Sequence, residues 1–195
     1  GTPLLGNSQS GALYPLHTLF GVAKVPWEAA LKWLAVIHAL IAAAGVFALS
    51  RRYGASEVGA AVGGFAFGAS PFVLGWMPLA SVMTTACWIP WALWALGAPE
   101  PDGPRTPWAT PIFVGLMLLG GHLQFAFYGV LAVMIFGVVV AMSQEGAKRW
   151  KRLGGMAVLV ALGAMLAMPQ LGPVLENSKF SHRQTVATAE GYDAY

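Results

Sequence analysis

A histidine and a glutamine interrupt one of the longest apolar stretches of the chain. The stretch reads LLGGHLQFAFYG, residues 118–129, and its polar side chains are His122 and Gln124, just after two glycines. Hydrocarbon offers such groups no hydrogen-bond partner, so polar residues at membrane depth are costly and tend to mark pathways or sites. Two interpretations stay open. The two residues either cap a turn between short helices or face a water-filled cavity that binds a polar ligand.

Cationic and hydroxyl groups cluster near the end of the chain, after the last apolar run. Lys179, His182 and Arg183 lie within a few residues of one another. A guanidinium presents a planar fork of donors that matches phosphate oxygens, so these residues could clamp a phosphate or pyrophosphate. They could equally be interfacial anchors that touch lipid headgroups.

Amide and hydroxyl groups also open the chain, in the stretch GNSQSGALYP at residues 6–15. Its composition is typical of a turn-forming loop, and Asn7 and Gln9 supply donors and acceptors suited to a sugar. Gln170 follows Pro169 in the last apolar run, where the proline frees a carbonyl and can tilt the glutamine into the bundle. Glu176 lies three residues before Lys179, a spacing at which the two side chains can pair on a helix.

His38 is a separate case, near the middle of the first apolar run. No charged residue stands at helical spacing around it. We favour an interhelical hydrogen bond as its role. The sharper alternative is axial ligation of a haem or chlorophyll, because neutral imidazole is a common metal ligand.

The composition is that of a protein surrounded largely by lipid. The chain has 195 residues, of which 57% are hydrophobic and 10% charged, whereas a soluble domain carries about 25% charged residues. It is therefore an integral membrane protein. The net charge of +3 gives no reason to expect a nucleic-acid partner, and the single cysteine excludes a disulfide within the chain. The sequence contains no phosphate-binding loop, zinc-binding HExxH helix or GxSxG elbow. It requires no cofactor, although a divalent cation remains compatible with it.

The apolar runs predict an all-α fold, a polytopic bundle of about five to six transmembrane segments with short or broken helices. A spanning helix needs about 20 mostly apolar residues, and we expect Pro90 to kink the third segment. The run at 109–142 is too long for one span and slightly short for two. The segments are residues 29–50, 58–77, 79–98, 109–142 and 153–176.

Basic residues predict the orientation, because cytoplasmic loops carry an excess of Lys and Arg. Two clusters stand out, at residues 51–52 and 148–152. They lie on the same side only if the run at 109–142 reverses near Gly120 and Gly121, and we favour this reversal over one long tilted helix. Residues 1–28 then form an extracytoplasmic segment, 29–176 the transmembrane bundle and 177–195 an extracytoplasmic tail. His122 and Gln124 would face the outside.

Several stretches in this order resemble the bacterial YfhO-type membrane protein family, which is similar to glycosyltransferases of the GT-C architecture. They are residues 1–20, His38, and residues 80–96, 120–128 and 168–183. The resemblance implies an enzyme of the bacterial cytoplasmic membrane that transfers a sugar from a polyprenyl-phosphate donor to a cell-envelope acceptor on the outer face. It also implies that the catalytic carboxylate and a first span lie upstream of Gly1, so that the chain is an internal fragment. The outer cavity would be lined by Asn7, Gln9, Tyr14, His122, Gln124, Gln170, Glu176, His182 and Arg183.

Two other functions stay open. The chain could be a structural subunit of a larger photosynthetic or respiratory membrane complex, with other membrane subunits as partners and a pigment or haem on His38. It could also be a transporter-like bundle with a discontinuous helix pair at 109–142. Membrane lipid is a partner under every interpretation, and a lipid-linked sugar donor under the leading one.

Overall fold

The structure, a computed structural model, describes residues 4–97 and 107–179. These residues form helices joined by turns and loops, without a β-strand, and two short 3-10 turns, Ser8–Ser10 and Pro107–Ala109, accompany the α-helices. In chain order the α-helices of the described residues are α1 (Pro15–Val22), α2 (Trp27–Arg52), α3 (Glu57–Gly68), α4 (Pro71–Trp76), α5 (Ala80–Ala86), α6 (Ile89–Leu96), α7 (Thr110–Leu119), α8 (Leu123–Met142) and α9 (Ala147–Ser178). The predicted all-helical class is confirmed.

Four helical stretches of the described residues are long and apolar enough to cross a membrane, judged by length and composition. They are Trp27–Arg52, Glu57–Trp76, Leu123–Met142 and Ala147–Ser178. Two shorter apolar stretches, Ala80–Leu96 and Pro107–Leu119, complete the bundle. The chain is therefore a helical membrane protein whose described residues form six apolar helical stretches, three of them short or broken.

Prolines and their preceding residues locate the interruptions. Ser70 ends the first part of the second stretch and caps α4, its hydroxyl accepting from the Val73 amide, with Pro71 at the first helical position. Pro90 stands near the start of α6, and α5 ends four residues earlier at Ala86. Proline clashes with the carbonyl four residues before it, which accounts for that boundary. The predicted kink is thus a break between two short helices.

The long run at residues 109–142 reverses at Gly120–His122, as predicted. A Cβ added at Gly129 in α8 would collide with the sulfur of Met117 in α7. Residues twelve apart in one continuous helix would be separated by about 18 Å, so α7 and α8 fold back on each other. The arms are unequal. Helix α8 is a full span of 20 residues, whereas the ten residues of α7 cover about 15 Å.

Close helix contacts run through small residues. Gly163 of α9 faces Val114 of α7, and a Cβ there would lie 2.6 Å from the Val114 Cβ. A Cβ at Gly64 of α3 would lie 2.6 Å from the Ala43 carbonyl oxygen of α2. Small residues let helix backbones approach where lipid provides no hydrophobic drive for association. This packing holds α7 alongside α9 and keeps the turn after α7 beside the last part of α9.

Both basic clusters lie at one end of the bundle, here called the basic end, defined by Arg52, Arg152 and the carbonyls of residues 94–97. Arg52 donates to the Trp94 carbonyl and stacks over the Trp94 ring, 5.0 Å from its centroid. Arg152 lies 3.4 Å from the Leu96 carbonyl oxygen. The two clusters therefore share a side, which confirms the reversal and excludes one long helix across residues 109–142.

Candidate functional site

The opposite end of the bundle, here called the polar end, is built from residues 6–14, Gly120–His122 and the last turns of α9. The opening segment enters the bundle rather than passing over it. Tyr14 is completely buried, and its hydroxyl lies 2.7 Å from Nε2 of His38. His38 is eleven residues along α2, about 16 Å from its first residue. The segment therefore reaches the middle of the first spanning helix before α1 turns back.

A chain of hydrogen bonds fixes Tyr14 and His38. Nδ1 of His38 lies 2.5 Å from the Leu34 carbonyl oxygen, which can only accept, so Nδ1 carries the proton. Nε2 is then an acceptor, and the Tyr14 hydroxyl donates to it. The indole N–H of Trp88 in turn donates to the Tyr14 oxygen at 2.9 Å. Every polar atom of these side chains has a partner, as burial in an apolar bundle demands.

One buried amide joins three parts of the polar end. The Gln170 side chain accepts from the Leu13 backbone N–H at 3.1 Å and donates to the Leu119 carbonyl at 3.2 Å. Two turns further along α9, the Asn177 amide donates to the Gly6 carbonyl at 3.2 Å. Irregular backbone is tolerated at membrane depth only where protein or a water-filled cavity satisfies it. Side chains of helix α9 supply the hydrogen-bond partners of this irregular backbone.

The turn between α7 and α8 fits against the opening segment through glycine. Gly121 has φ +96°, and a Cβ there would lie 3.1 Å from the Ser8 carbonyl oxygen and 3.2 Å from the Gly11 nitrogen. A side chain is therefore disfavoured both by the positive φ and by the tight backbone contacts. Threonines of α5 anchor the other side of the turn. Thr84 donates to the Gly120 carbonyl at 2.5 Å, and the Thr85 hydroxyl accepts from the His122 amide at 3.3 Å.

His17 closes the opening loop from α1. Its Nδ1 lies 3.0 Å from the Gly11 carbonyl oxygen and must donate to it, and its ring stands edge-on to Tyr14 at 5.1 Å. Burial lowers the pKa of His17, and the hydrogen bond to Gly11 opposes that shift only in part. His17 is therefore a neutral donor that holds Gly11, itself at φ +52°, in the left-handed region.

His122 borders the turn and faces an aromatic cluster. Its ring makes an edge-on contact with Phe125 at 4.9 Å, and Phe125 also touches Trp76 at 5.7 Å and Phe72 at 5.9 Å. Within the described residues, its Nδ1 is buried without a hydrogen-bond partner, as is the hydroxyl of Ser10 in the opening segment. A buried polar atom without a partner is unusual. A ligand group or water at this place would satisfy it.

The structure separates the residues that the sequence nominated into two sets. Tyr14 and Gln170 are buried and engaged in internal hydrogen bonds, so their polarity is explained by the fold itself. The residues of the second set stay accessible, and His122 among them is partly exposed. Gln124, also in this set, donates to the Tyr128 hydroxyl at 2.9 Å. The accessible residues are Asn7, Gln9, His122, Gln124 and Glu176. His182 and Arg183 lie outside the described residues.

Sequence reasoning missed several residues that assemble the polar end. The adjacent threonines Thr84 and Thr85 sit in the middle of an apolar run, which was an available signal of polar contacts inside the bundle. His17 and Asn177 gave a weaker signal, since each stands in a stretch that is polar anyway. Thr84, Thr85 and Asn177 bind backbone groups of distant segments, and His17 binds a carbonyl six residues before it. Backbone groups leave no trace in a side-chain pattern.

The donor set favours no metal or pigment. Within residues 4–97 and 107–179, no group of three or more His, Cys, Asp or Glu side chains could hold a metal ion. Both nitrogens of His38 are engaged, one by Leu34 and one by Tyr14. Axial ligation would have to displace the Tyr14 hydroxyl from a fully buried position, so the interhelical hydrogen bond is the better account of His38.

Comparisons with protein-family models, with curated proteins and with solved structures found no match to this chain.

Proposed function

We propose that the polar end binds the head group of a polyprenyl-phosphate-linked sugar, and that the chain belongs to a membrane glycosyltransferase acting on the outer face of the bacterial cytoplasmic membrane. The observation that carries the proposal is the meeting of three distant polar stretches at one end of an apolar bundle. They are the opening segment, the turn at Gly120–His122 and the end of α9. The same three stretches carry most of the family resemblance.

The sidedness of the polar end supports an extracytoplasmic site. Arg52 and Arg152 lie together at the opposite end, and the excess of basic residues marks the cytoplasmic side. A lipid-linked sugar used outside the cell would reach the polar end from the outer leaflet. The shape of the opening segment agrees with this function, because non-helical backbone within a bundle commonly borders a binding cavity.

The accessible side chains suit a sugar phosphate. Asn7, Gln9 and Gln124 offer amide donors and acceptors for sugar hydroxyls, and the cluster around Phe125 offers aromatic rings for a sugar face or an isoprenoid chain. The partnerless nitrogen of His122 lies beside that cluster. Lys179, at the end of α9, is a cation for the phosphate. In the reaction, an acceptor hydroxyl forms the new bond to the anomeric carbon while the bond to the phosphate oxygen breaks. The phosphate leaves with the electron pair, and a base takes the hydroxyl proton.

Binding of a radiolabelled polyprenyl-phosphate hexose to the full chain in detergent tests the proposal. We expect His122→Ala to weaken binding by about tenfold, the equivalent of one hydrogen bond to a charged group. Lys148→Ala, which removes a cation near the basic end, is the matched control and should bind as the unchanged chain does. Unfolding curves of both variants separate lost binding from lost folding. Equal binding by His122→Ala and the unchanged chain, at unchanged stability, contradicts the proposal.

A further inference from the structure

The first turns of α2 form an open apolar groove that lies apart from the polar stretches described above. Pro26, Ala29, Trp33 and Val36 contribute its apolar surface, and its volume is about 470 Å³. The Trp33 side chain is 59% exposed, and Leu40, one turn beyond Val36 on the same face, is 64% exposed. This face of α2 is therefore uncovered by the described residues over about three helical turns, which is long enough to hold one lipid chain.

Two opposite charges border the groove, and they do not pair with each other. Glu28 and Lys32 line it one helical turn apart. Glu before Lys at this spacing is the favourable order for an ion pair on a helix. The structure nevertheless has no ion pair between these two side chains. Both charges are exposed and free to meet a partner.

The order of the charges along α2 matches the depth of charges in a phospholipid. Glu28 is in the first turn of the helix, and Lys32 is about 6 Å further in along the axis. The headgroup layer of a bilayer is about 5–8 Å thick on each side of the hydrocarbon. Trp27, 70% exposed, and Trp33 lie on either side of the charges, as aromatic residues do at a membrane interface.

We infer that this groove binds one ethanolamine phospholipid of the leaflet at the polar end. The lipid phosphate meets Lys32, the primary ammonium, which lies further out in the headgroup layer, meets Glu28, and an acyl chain lies against Trp33 and Val36. Glu28 selects the headgroup. A glycerol headgroup has no cation for the carboxylate, and a choline headgroup has a cation without an N–H donor. The inference is independent of sugar transfer.

Native mass spectrometry of the full chain released from nanodiscs tests this site. The nanodiscs contain equal parts of phosphatidylethanolamine, phosphatidylglycerol and phosphatidylcholine, and the retained lipid is counted. We expect phosphatidylethanolamine to be retained preferentially by the unchanged chain. Lys32→Gln should reduce its retention about five-fold, the effect of one cation near a lipid surface. Glu28→Gln should shift the preference from phosphatidylethanolamine to phosphatidylglycerol.

Lys24→Gln is the matched control, because Lys24 lies at the same end, is exposed and does not line the groove. It should leave lipid retention unchanged. Equal retention of the three lipids by the unchanged chain overturns the inference, as does an unchanged preference in Glu28→Gln. Rapid disulfide formation between two copies carrying Val36→Cys also overturns it, because a second chain would then occupy the groove.

Discussion

The two ends of the bundle join distant segments by different means. At the basic end, Arg52 and Arg152 each reach a carbonyl of residues 94–97, and the Tyr53 hydroxyl donates to the Gly97 carbonyl at 3.2 Å. These side chains are long and partly exposed. At the polar end, short neutral side chains bind backbone groups in buried positions, and glycine backbones touch directly.

The difference predicts where the protein is sensitive to substitution. A partly exposed arginine that loses its partner can still meet water, so the cost is small. A buried backbone group that loses its partner has no substitute and costs about 1–3 kcal/mol. The polar end should therefore tolerate little change, although its sequence looks like an ordinary polar loop.

Glycines with positive φ give the strongest contrast. Gly121 at the polar end faces three backbone atoms, whereas Gly54, just after α2 at the basic end, has positive φ with nothing within 4 Å of a Cβ. Alanine at either position adds about 1–2 kcal/mol of left-handed strain. Only Gly121→Ala also adds tight contacts of 3.1–3.3 Å with backbone atoms, for a total of about 2–5 kcal/mol. Thermal unfolding in detergent measures both variants, and equal destabilisation would show that the turn does not pack on the opening segment.

Two glutamines allow a buried side-chain amide to be compared with an exposed one at the polar end. Gln170→Leu leaves the Leu13 N–H and the Leu119 carbonyl without partners, so we expect a loss of about 2–4 kcal/mol. Gln124→Leu removes an exposed contact with Tyr128 and should change stability by less than about 0.5 kcal/mol. Denaturant titrations of the two variants provide the comparison. A loss for Gln124→Leu as large as that for Gln170→Leu would contradict the structural role assigned to the Gln170 hydrogen bonds.

One tyrosine at each end allows the stability contributed by the two ends to be compared directly. Tyr14→Phe removes the oxygen that joins His38 and Trp88 and should cost about 1–3 kcal/mol. Tyr53→Phe removes one bond to Gly97 at a partly exposed position and should cost about 0.5 kcal/mol. Unfolding followed by circular dichroism measures both. The prediction fails if the Tyr53 variant is the less stable of the two.

Acid should loosen the polar end first. The pKa of His17 is lowered by burial, so the native state binds this proton less readily than the unfolded chain. The stability contributed by neutral His17 is fully present above about pH 6.5 and is lost as the pH falls towards the lower native pKa. Melting temperatures between pH 7.5 and 5 should therefore decline, and His17→Gln should flatten the decline. An identical slope in that variant would show that His17 does not cause the decline in melting temperature.

Periodicity and charge were sufficient to predict much of the fold. The apolar runs predicted the spanning stretches, and the two basic clusters predicted the reversal at Gly120 and Gly121. Helix ends were predicted less accurately: α9 begins at Ala147, just before the basic cluster and six residues before the predicted apolar segment. Arginine and lysine are good helix formers, so the helix continues beyond its apolar part.

The interior of the polar end could not be predicted in the same way. Tyr14 and Gln170 were nominated as ligand contacts by the family resemblance. Their partners proved to be His38 and the backbones of Leu13 and Leu119, all supplied by the fold. Which partner satisfies a polar group depends on tertiary geometry. The sequence indicates the need for a partner and not its source.

Disulfide cross-linking between the opening segment and α9 tests the convergence of the polar end most directly. A Cβ at Gly6 would lie 3.1 Å from the Asn177 Cβ, near the separation of about 3.8 Å found in disulfides. In membranes, with buried Cys87 replaced by alanine, Gly6→Cys with Asn177→Cys should oxidise rapidly within one chain. The pair Gly6→Cys with Ser143→Cys should not form a disulfide, because Ser143 follows the end of α8 that lies away from the polar end. Cross-linking of the second pair but not the first would contradict the claim that the opening segment meets the end of α9.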